Sequence, residues 1–569
     1  MDSAVQRRAP RRMDRLNMQV PPAWVEGPPP SKSQDLQADC SCHCFRHAVA
    51  DFTQHSTLHG LRYVADQTIS RAERLFWVIS FGLACMFATN FISNVYYKWT
   101  HSPVIMSLSP EPTLLSAIPF PAITICNMNN ARRTVAQGIL DRARASGMEG
   151  SKERKMLNDY CNKPQEKEDS NIEESDINWN DLQSFMINVS QPCHEMLVAC
   201  YWHGEKYKCE DLFNPTLTDE GICCSFNKVK RDFIFHNPRD LSDLNVTFPF
   251  ESIDWTPERG YPEGANVDHL PWRAWGAGSH LGLSIVLDAN LDEYYCSSEV
   301  SIGFKVVLHN SVETPKMNAF ATLLEPGIES RMIVDPLIMT STEQFQRIPV
   351  QKRNCVFGSE RNLSFYRTYT QRNCALECEA KFTLDACNCV LYYMPKNEST
   401  RICSRTDQDC AQRALKAMEL RLIDDGNISA SLNTSRTKAC GCKPGCFAVA
   451  YKIKQSTSKL TSKNDIDKEL LGEKDTTYFS KNMAVLHVFF TETQYTAHQR
   501  GELFGFTELL SNTGGLLGLF MGFSFLSAVE AVYFLTLRLW CSLHRRRDKT
   551  SPITPYKIAK AKTPFPFTQ

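Results

Sequence analysis

The chain has 569 residues, a formal net charge of zero from 63 basic and 63 acidic side chains, and 23 cysteines. That length asks for several domains, and the balanced charge leaves no electrostatic footprint for nucleic acid. No P-loop, G-x-S-x-G or H-E-x-x-H signature is present, so an enzyme reading has no support and neither a cofactor nor a metal is expected.

Residues 1–73 read as a cytoplasmic N-terminal tail. Arg7, Arg8, Arg11, Arg12 and Arg15 are followed by VPPAWVEGPPPSKS, a composition that buries no core. No apolar core of a signal peptide is found in residues 1–50, so the first span is expected to serve as its own membrane signal. Cys40-Ser-Cys-His-Cys44 is too crowded for a standard zinc pairing, and reduced thiols are the default over a metal or an acyl anchor. The run FTQHSTLHGLRY carries the pair His59-Gly60, by itself the mark of a turn. Arg71 and Arg74 then precede 18 uncharged residues at 75–92, with Tyr96, Tyr97 and Trp99 just beyond. Basic residues before and interfacial aromatics after give a transmembrane helix over 74–97 with its N-terminus inside.

Residues 98–502 are expected to form an extracellular domain. Strands are predicted at 120–127 (FPAITICN), 283–288, 303–309, 446–454 and 483–490, and helices at 131–146, 374–387 and 409–423. The class is α+β, a sheet fed by both ends of the domain with cysteine-stapled helical insertions. Eighteen cysteines lie in this interval: Cys126, Cys161, Cys193, Cys200, Cys209, Cys223, Cys224, Cys296, Cys355, Cys374, Cys378, Cys387, Cys389, Cys403, Cys410, Cys440, Cys442 and Cys446. The even count fits up to nine disulfides in an oxidising compartment, with connectivity open. Six N-glycosylation acceptors, Asn188, Asn245, Asn362, Asn397, Asn427 and Asn433, are confined to the same interval.

A second transmembrane helix is expected over 503–537. Between Glu508 and Glu530 lie 21 uncharged residues, enough to span once. Glu508, Ser511, Gly515, Gly518 and Gly522 recur at steps of three and four, which on a helix makes one small, polar face. After Gly522 the rhythm meets the bulky Phe525 and Leu526, and small residues restart out of phase at Ser524, Ser527 and Ala531. The slip predicts a helix break at Gly522-Phe523-Ser524, and irregular backbone at membrane depth belongs where protein buries it or where it lines water. Helix packing through Gly514, Gly518 and Gly522, a G-x-x-x-G series, is the competing reading of the same glycines. Glu508 and Glu530 are read either as pore-mouth charges or as snorkelling side chains. Arg538, His544-Arg-Arg-Arg547 and Lys549 then place residues 538–569 in the cytoplasm as a C-terminal tail.

In order along the chain, His59-Gly60, Phe120-Pro-Ala-Ile-Thr-Ile-Cys-Asn127, Tyr369 with Cys374-Ala-Leu-Glu-Cys378, Cys387-Asn-Cys389, Cys440-Gly-Cys-Lys-Pro-Gly-Cys446 and Ser511-Asn-Thr-Gly-Gly515 with Gly522-Phe-Ser524 resemble the motifs of the epithelial sodium channel/degenerin family. The resemblance covers roughly residues 52–540 and is most like the insect pickpocket branch. It implies a trimer of identical or related subunits, conducting sodium ions across the plasma membrane and blocked by amiloride, with a palm, β-ball, finger, knuckle and thumb ectodomain. It further implies a selectivity filter at Gly522, Phe523 and Ser524, a gate at Ser511 and Asn512, an amiloride contact at Gly518 and a gating motif at His59 and Gly60. Asn512 stands where acid-sensing relatives carry an acid. No P-P-x-Y is present in the tail, and Lys228-Val-Lys-Arg231 is a poor substitute for a furin site.

One helix cannot enclose water, so a polar stripe on a two-span chain calls for several copies around an axis. An ATP-gated two-span channel, a non-conducting surface receptor and an ecto-enzyme are the alternatives; only the first would also need the stripe, and it lacks the G-x-S break. The stimulus, extracellular or mechanical, is written in no motif.

Overall fold

The computed structural model describes residues 50–66, 68–145, 152–161, 178–246, 248–423, 440–461, 475–538 and 540. The Arg-rich segment, Cys40, Cys42, Cys44, the acceptors Asn427 and Asn433, and most of the C-terminal tail lie outside these residues. The chain divides into two compact units, Tyr96–Leu509 and a helical unit drawn from Met1–Val95 and Leu510–Gln569.

In the helical unit the first long helix covers Arg71–His101 and is long and apolar enough to cross a membrane. It begins upstream of the expected 74 because Ser70 and Glu73 cap each other, Ser70 N donating to the Glu73 carboxylate at 3.2 Å and Glu73 N to Ser70 Oγ at 3.3 Å. That reciprocal pair satisfies two donors of the first turn. Two further helices, Phe506–Met521 and Phe525–Tyr533, the latter continued by a π turn at Phe534–Arg538, pass the same membrane criterion only together. They meet at residues 522–524 with a bend of 74°.

The Tyr96–Leu509 unit is built on an eight-stranded mixed sheet and a five-stranded antiparallel one. Both ends of the segment contribute to the larger sheet: Val104–Leu108 pairs with His498–Glu502, two strands absent from the sequence-based expectation. The expected strands appear as Ala122–Asn127, Leu283–Asp288, Phe304–His309, Ala448–Lys459 and Met483–Phe490. The longest strand, Ile328–Ser341, was not expected because Pro336 interrupts its apolar run. Its parallel partners lie beside 329–334 and beside 339–341, and Pro336, with no N–H to donate, falls in the gap between them. Phe120 ties the two sheets together, with edge-on contacts to Trp202 and Phe490 of the larger and Phe226 of the smaller.

Nine disulfides join the eighteen cysteines of this unit. Four, Cys126–Cys223, Cys161–Cys296, Cys193–Cys224 and Cys200–Cys209, fasten the N-terminal half. In the C-terminal half, Cys374 and Cys378 stand one turn apart on the helix Gln371–Cys387 and bond Cys442 and Cys440, which clamps one helix face to a short run of chain. Cys387–Cys410 joins that helix to Gln408–Ile423, while Cys389–Cys403 and Cys355–Cys446 close the segments on either side. Among the described residues Cys85, on the first long helix, is the one free thiol.

Candidate functional site

The site is the break between Phe506–Met521 and Phe525–Tyr533. Gly522 ends the first helix with φ at +65°, a left-handed conformation that side chains with a Cβ rarely take. It still donates to Gly518 O at 2.9 Å, and Phe523 N reaches Leu517 O at 3.3 Å, so the helix closes tightly before it stops. Ser524 starts the next helix as its cap, its hydroxyl accepting from Ser527 N at 3.3 Å while Ser524 N donates to Ser527 Oγ at 3.2 Å. Ser524 O is taken by Ala528 N at 3.2 Å. The carbonyls of Gly522 and Phe523 accept no hydrogen bond among the described residues. Two adjacent carbonyls thus stand free at the break, where the helix ladder would have claimed both.

The His59-Gly60 turn lies against the same point. His59 N donates to Met521 O at 2.9 Å, and a Cβ on Gly522 would fall within 1.7 Å of His59 Nδ1, so only glycine fits. Gly60 itself is left-handed, at φ +83°, and caps the short helix Leu61–Ala65; Tyr63 of that helix stacks on Trp77 at 4.6 Å. One turn below the break, Thr57 Oγ1 lies 2.9 Å from Ser527 Oγ and 3.0 Å from Glu530 Oε2, and Thr57 N donates to the same carboxylate oxygen at 3.3 Å. Ser527 is buried by this contact. At the far end Asp51 and Arg538 pair at 2.6 Å, and Phe52 packs edge-on against Phe534. The chain before the first long helix is therefore laced along the second half of the broken one.

Several residues singled out by sequence meet here: His59, Gly60, Gly522, Phe523, Ser524 and Glu530. Thr57 was missed, and Ser527 was noted only as one of the small residues that restart out of phase. Ser527 had a signal in the S-x-x-S spacing of a capping box; Thr57 is one hydroxyl among several in a polar run and had none. Ser511 and Asn512 lie exposed on Phe506–Met521, and Glu508 sits in its first turn with Thr507 Oγ1 donating to its carboxylate at 2.9 Å. A Cβ on Gly518 would meet Phe523 O at 3.7 Å, an ordinary contact, and one on Gly514 or Gly515 would meet nothing within 4 Å. Packing against the chain's own first long helix uses larger side chains instead, with Phe520 stacked on Phe87 and Phe91 and Met521 Sδ 3.6 Å from Cys85 Sγ.

No group of His, Cys, Asp or Glu suited to a metal occurs among the described residues. His309 and Glu313, four residues apart in the sequence, are held separately, His309 buried and Glu313 half-buried. Burial pushes the His309 imidazole down to about 3 and the Glu313 carboxyl up, while Nε2 and Nδ1 of His309 are held by Thr124 Oγ1 and Asn310 O, both at 2.9 Å. A neutral, fully bonded ring is structural.

Comparison with known proteins gives a consistent result. The sequence profile of a family described as "Amiloride-sensitive sodium channel" matches residues 52–534. Pickpocket protein 28 of Drosophila melanogaster is 35% identical over 542 residues, covering 92% of this chain and 85% of that protein. Sodium channel protein Nach of the same fly is 25% identical over 517 residues, 89% of this chain and 90% of that protein. Human acid-sensing ion channel 2 is 22% identical over 508 residues, 85% of each.

Proposed function

The chain belongs to the amiloride-sensitive sodium channel family, a family of ion channels, and is similar to an insect pickpocket protein; from that premise we propose that it is a subunit of a sodium-selective, amiloride-blocked trimer in the plasma membrane. Arg71–His101 and the broken pair are its two spans, both termini face the cytoplasm, and Tyr96–Leu509 is the ectodomain that receives an extracellular or mechanical stimulus.

The observation that carries this reading is the pair of unclaimed carbonyls at Gly522 and Phe523. At membrane depth an unpaired carbonyl costs several kcal/mol, about 4–8 in the least forgiving solvent scale, unless water or an ion meets it. Repeated around an axis, the two carbonyls form a ring that replaces part of a cation's hydration shell and repels an anion. Ser524 Oγ has one acceptor site committed to Ser527 N, so it serves the ring as a fixed dipole rather than a free rotor. The turn at His59 holds the ring from below by occupying Met521 O, the carbonyl just before it. Exposure of Ser511 and Asn512, and the open space at Gly514 and Gly515, leave that helix face to neighbouring subunits.

The gate is assigned to Ser511. Closing by helix crossing there leaves no room for a large side chain, so Ser511→Phe gives constitutive, amiloride-blockable sodium current in voltage-clamped cells, with roughly tenfold more current at rest than the unmodified channel, an energy of about 1.4 kcal/mol. Normal surface labelling of Ser511→Phe with no such current would overturn the assignment.

A further inference from the structure

Away from the pore, the ectodomain contains a cavity of about 80 Å³ with an unusual electrostatic lining. Three cations, Lys228, Arg231 and Lys396, face a single carboxylate, Asp243. The carboxylate is spent: Arg231 Nε and Nη2 take its two oxygens at 3.0 and 2.6 Å. Lys396 is spent too, donating to Ser242 O at 3.0 Å and Tyr392 O at 2.6 Å and lying 4.0 Å over the Trp179 ring. Lys228 is different. Its ammonium makes no hydrogen bond and no ion pair among the described residues, and Asn214 Nδ2, on the same lining, is buried with no partner.

We propose that this cavity is a binding site for a small monocarboxylate. The site offers one uncommitted ammonium, and its lining includes the unpartnered amide of Asn214; both are donor types that a carboxylate accepts. Phe235, Phe248 and Met394 form apolar walls around them, which suit a short hydrocarbon tail and not a second charge. A volume of this size holds about six waters at 10–15 Å³ each, or a ligand of a few heavy atoms. Desolvation lowers the Lys228 ammonium to about 8, against Asp243, which raises it, and Arg231, which lowers it further; an anion in the cavity offsets that penalty. The cavity walls join the strand Phe213–Thr218, residues 228–246 and Phe248 to Tyr393–Lys396, just beyond the disulfide-stapled helix Gln371–Cys387, so occupancy ties the two halves of the ectodomain together.

The test uses the purified full-length chain in detergent, with no dependence on conduction. Sodium propionate is titrated against propionamide, its neutral analogue, and against sulfate at matched ionic strength, reading the thermal midpoint and saturation-transfer NMR. Propionate is expected to bind saturably and raise the midpoint while the other two do not, and Lys228→Met is expected to weaken it about tenfold or more, the loss of a charged hydrogen bond. Should Lys228→Met not fold, Asn214→Asp, which sets a carboxylate against the ligand, is expected to abolish the same signal. Equal binding of propionamide, an equal shift with sulfate, or unchanged propionate binding in whichever variant folds would overturn the proposal.

Discussion

The two units of this chain are fixed by opposite means. Tyr96–Leu509 is held by nine disulfides, two sheets and a core in which Phe120, Phe226, Phe304 and Phe490 are wholly enclosed. In the helical unit no disulfide occurs among the described residues, apolar side chains such as Phe76, Leu519 and Phe525 are exposed, and the break at residues 522–524 rests on one glycine and a few hydrogen bonds. The first arrangement resists deformation by constraining the unfolded chain. The second has its shape set by what is absent from it, a Cβ at Gly522 and two hydrogen bonds to its carbonyls. A covalent deletion should therefore harm folding in one unit, and an atomic addition should harm conduction in the other.

The largest effect is expected from Cys355 and Cys446. Their bridge closes a separation of 91 residues and lies wholly buried beside Phe345 and Phe357. Alanine at both positions leaves no lone thiol to mispair and no hydroxyl to bury. Chain-entropy arguments put the loss at about 4.6 kcal/mol, comparable to much of a domain's stability. Surface biotinylation should then show delivery reduced more than tenfold; delivery at the normal level would mean that the sheets alone hold this unit, and the contrast would fail on that side.

Gly522→Ala is the counterpart. The substitution places a methyl group against the His59 ring and forces a non-glycine residue to a positive φ, strain of about 1–3 kcal/mol confined to the break. Surface delivery should stay within twofold, an allowance of about 0.4 kcal/mol. Sodium current should fall at least tenfold, since the His59 turn must move off Met521 O and the proposed carbonyl ring loses its support. Normal current from Gly522→Ala would show that the break tolerates rearrangement and that its backbone is not what conducts.

The two units also differed in how plainly sequence announced them. The break was legible because helix period is rigid: a stripe at steps of three and four that slips after Gly522 has few causes besides an interrupted helix. The angle of 74° and the free carbonyls were not legible, since they depend on which hydrogen bonds the turn and cap take up. In the other unit, Phe304–His309 and Met483–Phe490 read as strands from β-branched and aromatic runs, whereas Ile328–Ser341 was hidden by Pro336 and made possible only by where two parallel partners end. Leu197–Trp202 and Gly221–Phe226 were hidden for a different reason, their cysteines making strands look like a polar, bridged loop region. Thr57 marks the limit at the site: its contacts to Ser527 and Glu530 span some 470 residues of sequence, and no local pattern encodes them.

The smallest effect tests whether covalent stapling makes the disulfide-rich unit indifferent to solution conditions. His309 is buried, neutral and pushed down to about 3, chiefly by desolvation, with the nearby cations of Lys228 and Arg372 adding to it and the bond to Asn310 O opposing. In the unfolded chain the same imidazole titrates near 6.5. Between these values the unfolded state takes a proton that the folded state refuses, so stability is full above about pH 6.5 and declines as pH falls toward 3. The slope has a ceiling of about 1.4 kcal/mol per pH unit. Glu313 contributes with the opposite sign, because burial raises its carboxyl and the folded state therefore holds its proton more tightly than the unfolded one. Comparing the chain with His309→Gln cancels that term and every other carboxylate. The glutamine amide keeps a donor for Asn310 O and an acceptor for the Thr124 hydroxyl without titrating, so between pH 6.5 and pH 5 the variant should lose less stability than the unmodified chain, by about 1.6 kcal/mol, and its thermal midpoint should fall correspondingly less. Parallel curves for the two proteins would mean that water reaches the ring and that the disulfides enclose a less dry interior than the packing of Thr124, Ser225 and His309 indicates.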